Sequence, residues 1–177
     1  AASEALKPYR LDAAARLPAE ADGGLNIEGL AATPDGRLLI GFRNPLAAQR
    51  ALVVPLENPA EAVAGKRARL GAPIVLDLDG RGIRSIELVG TAYEIVAGPP
   101  AHHGRFALYR WSGAAADAPV LATDVDLGDL RPDALFAVPA TPRVQLLSDD
   151  GGIEVDGTAC KKRAARRQTF RSLTVGR

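Results

Sequence analysis

Three ionic side chains recur at one position of a short repeated segment. Asn26-Ile27-Glu28-Gly29-Leu30, Gly82-Ile83-Arg84-Ser85-Ile86 and Arg131-Pro132-Asp133-Ala134-Leu135 each read as apolar or Pro, then charged, then small, then large aliphatic. Carboxylates and guanidiniums brought to one place can do two kinds of chemistry. Arg forks hold a carboxylate or phosphate ligand through paired N–H bonds. Clustered carboxylates offer oxygens to a hard cation such as Ca²⁺, which takes about six to eight of them. The candidates are Glu28, Arg84 and Asp133 on strands, with Arg43, Asn44, Arg50, Asp149 and Asp150 near strand ends. The competing reading is plainer and outweighs the ligand role: Glu28, Arg84 and Asp133 form a charged network that stitches neighbouring sheets together. Arg43 and Asn44, just before Pro45, read first as turn residues.

Other reactive residue types carry less. Asp149-Asp150-Gly151-Gly152 lacks the alternating acids and downstream Glu of an EF-hand loop. Asp77-Leu78-Asp79-Gly80 and Asp124-Val125-Asp126 fit strand ends and turns. His102 and His103 are adjacent in a loop, and adjacent side chains diverge in extended backbone, so one metal is poorly served. Cys160, the single cysteine, lies beside Lys161, Lys162 and Arg163, which favour a thiolate, but no base accompanies it. One cysteine also excludes an internal disulfide framework. Tyr109 and Trp111 read as packing at the end of a strand. No Gly-rich phosphate loop and no Gly-x-Ser-x-Gly elbow occurs.

The elements that must position these residues are short strands. Apolar runs such as Leu38-Leu39-Ile40, Ala51-Leu52-Val53-Val54 and Phe106-Ala107-Leu108-Tyr109 are bounded by Gly, Pro, Asp or Asn. Pro34-Asp35-Gly36 is a hairpin turn by composition, and Asn58-Pro59 has the form of a helix cap and first helical residue. Eleven residues after each charged position comes the centre of the next strand, at Leu39, Ile95 and Val144. The charged positions lie 56 and 49 residues apart. A period near 50 with about four strands per unit is the pattern of a β-propeller blade.

The expected fold is therefore all-β and β-propeller-like, with three four-stranded blades over about residues 26–80, 82–123 and 131–177. Strands are expected near 27–33, 37–42, 51–56 and 73–78, then 83–89, 92–97, 105–111 and 119–122, then 133–138, 143–148 and 170–175. Residues 1–24 form an N-terminal extension or a returning outer strand near Tyr9 to Ala13. Residues 25–177 form the propeller-like domain. In this scheme the small residue lets inner strands crowd, the aliphatic residue packs between blades, and the charged residue faces a wet channel. Closed propellers have about four to eight blades, so three make half of a six-bladed ring. A missing N-terminal half or a second copy would complete it.

Composition bounds the rest. The chain has 177 residues, 47% hydrophobic and 24% charged, which suits a globular domain. No apolar run approaches the roughly 18 residues of a membrane-spanning helix. The net charge of +1 hides an asymmetry: without the seven basic residues from Lys161 onward, 15 basic face 21 acidic residues, a net of −6. Nucleic acid is disfavoured as a partner, because only Phe170 accompanies the basic run and the acidic body repels phosphate. The expectation is a solvated loop that pairs with the acidic body. The chain contains no Met and starts Ala-Ala-Ser-Glu-Ala, as after a cleaved secretory signal, which favours a periplasmic or secreted location over the cytoplasm.

Asn26-Ile27-Glu28-Gly29-Leu30, Pro34-Asp35-Gly36 and Gly41-Phe42-Arg43-Asn44-Pro45-Leu46 resemble the signature of a bacterial family known as domain of unknown function 3616. Gly82-Ile83-Arg84-Ser85-Ile86 and Leu147-Ser148-Asp149-Asp150-Gly151 are similar to its later motifs, so the resemblance spans roughly residues 25–175. It implies a propeller-like β fold with no established activity. The Ile-Glu-Gly-Leu element is also similar to one in the esterase-like phytase propellers. The functional expectation is a binding or interaction scaffold whose polar channel mouth takes a small anionic ligand or a protein partner. The alternative is a Ca²⁺-dependent esterase or phosphatase-like hydrolase. A third option is an assembly module whose apolar edge recruits a partner.

Overall fold

The structure is a computed structural model that describes residues 4–101 and 104–176. His102 and His103 lie outside the described residues. The chain is mostly β and forms small antiparallel sheets, none of them closed. The first sheet is a meander of β1 (Asn26–Ala32), β2 (Leu38–Asn44), β3 (Ala51–Leu56) and β4 (Ile74–Leu76). The second repeats it with β5 (Gly82–Val89), β6 (Ala92–Gly98), β7 (Ala107–Trp111) and β8 (Val120–Leu121). The strand positions read from punctuation agree with these to within a few residues. Gly36 adopts φ +84° and its N–H reaches Thr33 O at 3.0 Å, as the Pro34-Asp35-Gly36 turn requires.

The third sheet departs from the expectation. It begins with β9 (Pro132–Val138) and β10 (Arg143–Ser148), then the chain leaves as a separate hairpin, β11 (Glu154–Val155) with β12 (Thr158–Ala159). After two 3-10 turns it returns as β13 (Ser172–Gly176), giving the order β13-β10-β9. The hairpin turns on Asp156 and Gly157, both at positive φ. The expected fourth strand near Tyr9 to Ala13 is not one: Glu4–Tyr9 is a 3-10 helix and α1 (Leu11–Ala14) follows it. Leu6 is buried against Phe42, Leu52 and Val54, with Tyr9 and Leu11 beside it, so this segment covers part of the first sheet instead. Packing of Leu6 into that sheet, rather than pairing of the backbone at a sheet edge, holds the segment in place.

α2 (Pro59–Val63) forms where Asn58-Pro59 predicts it. Asn58 does not cap its backbone, however. Its amide donates to Glu61 and to Arg67 O, and its Oδ1 accepts from Arg69 N at 2.7 Å, so it ties the following loop back instead.

The core lies between sheets. Ile83 and Ile86 of β5 pack onto β1 and β2, where a Cβ added to Gly29 or Gly41 would lie 2.8 Å from Ile83 Cγ2. Only a residue without a side chain permits that approach. Tyr109 and Trp111 sit in this core, as expected of packing residues. Leu135, Val144 and Leu146 of the third sheet meet Val96 and Leu108 of the second. The aliphatic position of the repeat therefore packs between sheets at Ile86 and Leu135, but Leu30 is 60% exposed, with no other sheet of the described residues against it.

Candidate functional site

The repeated charged residue is built the same way in each sheet. In β1, Ile27 pairs with Phe42 and Gly29 with Gly41, which leaves Glu28 as an extra residue. In β5, Ile83 pairs with Ala97 and Ser85 with Val96, which leaves Arg84. In β9, Pro132 pairs with Ser148 and Ala134 with Leu147, which leaves Asp133. Each charged residue is thus the inserted residue of a β-bulge, a device that kinks a strand and re-aims one side chain. The equivalence found in the sequence is an equivalence of backbone geometry.

The three bulges converge. Arg84 Nε lies 2.9 Å from Glu28 Oε2 and donates to Asp133 Oδ1 at 2.8 Å, and Arg84 Nη2 donates to the same oxygen. Arg43 at the end of β2 joins them: its Nη1 donates to Glu28 Oε1 at 3.1 Å. Its Nε and Nη2 donate to Pro99 O and Ala101 O at 3.2 and 3.0 Å, which pins the loop after β6. Arg43 therefore has a larger role than a turn residue. The Arg84 guanidinium also sits 5.6 Å from the centre of the Phe106 ring. Gly98 makes room for this stack, since a Cβ there would lie 2.6 Å from Phe106 and 2.8 Å from Arg84 Cγ.

This is not the wet channel lining that was expected. The side chains of Arg43 and Arg84 are 7% and 9% exposed, while Asp133 keeps 40%. A buried guanidinium needs acceptors for its N–H groups: Arg43 has one at each of its three nitrogens, and Arg84 has them at Nε and Nη2. The network joins the first strands of all three sheets, so it does stitch them together.

Beside the network lies a cleft of about 260 Å³, lined by Arg43, Arg84, Arg131, Phe106, Glu20 and Asp149 among others. Arg131 is exposed and makes no ion pair among the described residues. Arg131, Phe106 and Glu20 escaped the site reading of the sequence. Arg131 opens the third repeated segment, and that place was the available signal for it.

The remaining candidates lie apart. Asp149 stands on the cleft rim, with Oδ1 accepting from Gly151 N at 3.0 Å. Asp150 is buried and fully engaged: Oδ1 accepts from Ser148 Oγ and Arg171 Nη2, and Oδ2 from Arg171 N and Nε. The Arg171 guanidinium, with help from Ser148, holds its carboxyl down at about 2 despite burial. Asp150 thus anchors the chain entering β13 and is not turned to a ligand. Asn44 donates to Ala21 O at 2.6 Å, and Arg50 is exposed on another surface, beside Pro8 and Tyr9. Among the described residues no group of acids, His or Cys is arranged to hold a metal ion. Cys160 is buried, its Sγ donating to Thr169 O at 3.2 Å.

The basic segment does not pair as expected. Arg163 meets Asp156 at 3.6 Å and Arg171 meets Asp129 and Asp150, but Lys161, Lys162, Arg166 and Arg167 make no ion pair among the described residues. Among the described residues no helix is long and apolar enough to cross a membrane.

Residues 3–145 match the family described as Protein of unknown function (DUF3616). The chain belongs to that family. The DUF3616 match begins earlier than the resembling motifs suggested and stops before Leu147-Ser148-Asp149-Asp150-Gly151. Glu28, Arg43, Arg84, Arg131 and Asp133 all fall within it, and Asp149 and Asp150 fall outside. No curated protein and no solved structure matches the chain, so the likeness to phytase propellers has no further support.

Proposed function

We propose that this DUF3616 chain is a binding scaffold, with its sheets arranged as blades of a propeller-like ring and its cleft taking a small anionic ligand. The arrangement as blades is favoured by three bulged first strands that meet at one charged centre, each sheet packing on the next in the same manner. The ligand reading rests on one observation: three arginines face one cleft, two of them held rigidly by the network, while Arg131 has no carboxylate partner.

A preorganised guanidinium pair costs little ordering on binding, and the free Arg131 supplies the charge that a carboxylate or phosphate would neutralise. Asp149 on the rim has a second carboxylate oxygen to offer, so the favoured ligand combines an anionic group with hydroxyls, as a sugar acid or sugar phosphate does. The hydrolase alternative gains no such support, since Glu28, Asp133 and Asp150 are all committed to arginines.

The test is thermal melting with glucuronate, glucose 6-phosphate and inorganic phosphate. A ligand that binds only the folded chain raises the midpoint as its concentration passes the dissociation constant. We expect a rise with at least one of these, lost in Arg131→Ala. An absent shift with all of them, or one unchanged in Arg131→Ala, overturns the reading.

A further inference from the structure

The two ends of the stack of sheets are halves of the contact used inside it. Each internal contact seats an aliphatic pair from one first strand on the small-residue face of the sheet before. Ile83 and Ile86, 0% and 2% exposed, sit on the first sheet over Gly29. Pro132 and Leu135 are buried in turn, and Leu135 N donates to Ser85 Oγ at 3.2 Å. The equivalent pair at the start, Ile27 and Leu30, is 50% and 60% exposed. At the other end Ala134 holds the place of Gly29 and Ser85 with no sheet of the described residues over it, and Phe136 beside it is 39% exposed. The N-terminal helical segment covers Phe42, Leu52 and Val54 but leaves the β1 strip open.

We propose that the Ile27–Leu30 strip docks on the Ala134–Phe136 face of a second copy of this chain. A second copy is the occupant because it carries both unsatisfied surfaces. The contact can then form twice around a twofold axis, leaving neither surface exposed. The partner face continues a contact the chain already makes twice within itself, with small Ala134 where the other two sheets have Gly29 and Ser85. The bulge charges run negative, positive, negative from Glu28 through Arg84 to Asp133. Docking therefore brings Asp133 of one copy towards Glu28 of the other. Association should strengthen with salt, which screens that like-charge meeting. Pairing of the basic loop with an acidic body would weaken with salt instead.

Sedimentation equilibrium tests this on the chain as it stands. We expect a dimer favoured by salt. Leu30→Arg and Ala134→Arg should each raise the dissociation constant at least about tenfold. Circular dichroism melting identifies any variant that fails to fold. A mixture of the two variants keeps one intact contact and should associate better than either alone. The proposal is overturned by a chain that stays monomeric at every concentration, by open-ended polymers, by a dimer that salt dissolves, or by a dimer indifferent to Ala134→Arg. That last result would mean the β1 strips meet face to face.

Discussion

Behind the Glu28–Arg84 ion pair that bridges them, the contact between the first and second sheets is dry and built of apolar side chains, whereas the contact between the second and third carries further charge within it. Leu39, Val53, Leu76, Ile83, Ile86, Ile95 and Trp111 fill the first, and the rings of Tyr93 and Trp111 lie 5.5 Å apart within it. The second has its own apolar centre at Val96, Leu108, Val144 and Leu146. Yet the same face of the second sheet carries Glu94, wholly buried, with Glu87 directly opposite on β5 and Arg110 opposite on β7. Both contacts are organised by the same bulge and the same aliphatic seat. They differ in what surrounds the seat, so one architecture yields a contact fixed by close packing and another sensitive to charge and pH.

The largest effect should come from the dry contact. Ile83→Ala removes a side chain that is 0% exposed and seated against two glycines that have no atoms with which to fill the space. Loss of buried methyl groups plus an uncollapsed cavity costs about 3–4 kcal/mol. Leu135→Ala, at 6% exposure in the mixed contact, should cost about 1–2 kcal/mol less. Urea unfolding of both variants measures this. Equal losses would mean that the two contacts are energetically alike.

How much of this the sequence shows depends on whether the signal is local. Strand positions are legible because Pro34-Asp35-Gly36 and similar turns punctuate apolar runs. The meeting of Glu28, Arg84 and Asp133 is legible because a repeat makes three local patterns report one place. The bulge itself is not, since an inserted residue changes pairing without changing composition. Arg43 is among the candidates read from the sequence, but its part in the network is not legible for another reason: its acceptors Pro99 O and Ala101 O lie 56 and 58 residues away. The hairpin on Asp156-Gly157 had a local signal, but its strands of two residues each are too short to show alternation.

A smaller effect probes the charge in the mixed contact. Arg110 Nε donates to Glu94 Oε1 at 3.3 Å, with Glu94 inside and Arg110 reaching solvent. Arg110→Ala leaves the buried carboxylate without this cation and should cost about 2–3 kcal/mol. Adding Glu94→Gln removes the charge that had to be compensated, so the double variant should regain part of that loss. A double variant less stable than Arg110→Ala alone would mean that Glu94 is held by something other than its ion pair with Arg110.

The smallest effect has the most informative pH dependence. Burial pushes the Glu87 carboxyl above its ordinary value, so the folded chain holds that proton more tightly than the unfolded chain does. Its contribution is therefore full below the unfolded value and is lost as pH rises through the folded one. Glu87→Gln keeps the shape and removes the ionisation. Near about pH 7 the variant should be more stable than the parent by a few tenths of a kcal/mol to about 1 kcal/mol, and the gap should narrow towards about pH 4. Because Glu87 is only partly buried, solvent screening keeps the figure small. A constant gap across that range would assign the gain to packing, and a destabilised variant would show that the carboxylate is favourable where it sits. Either outcome would remove the pH sensitivity that separates the mixed contact from the dry one.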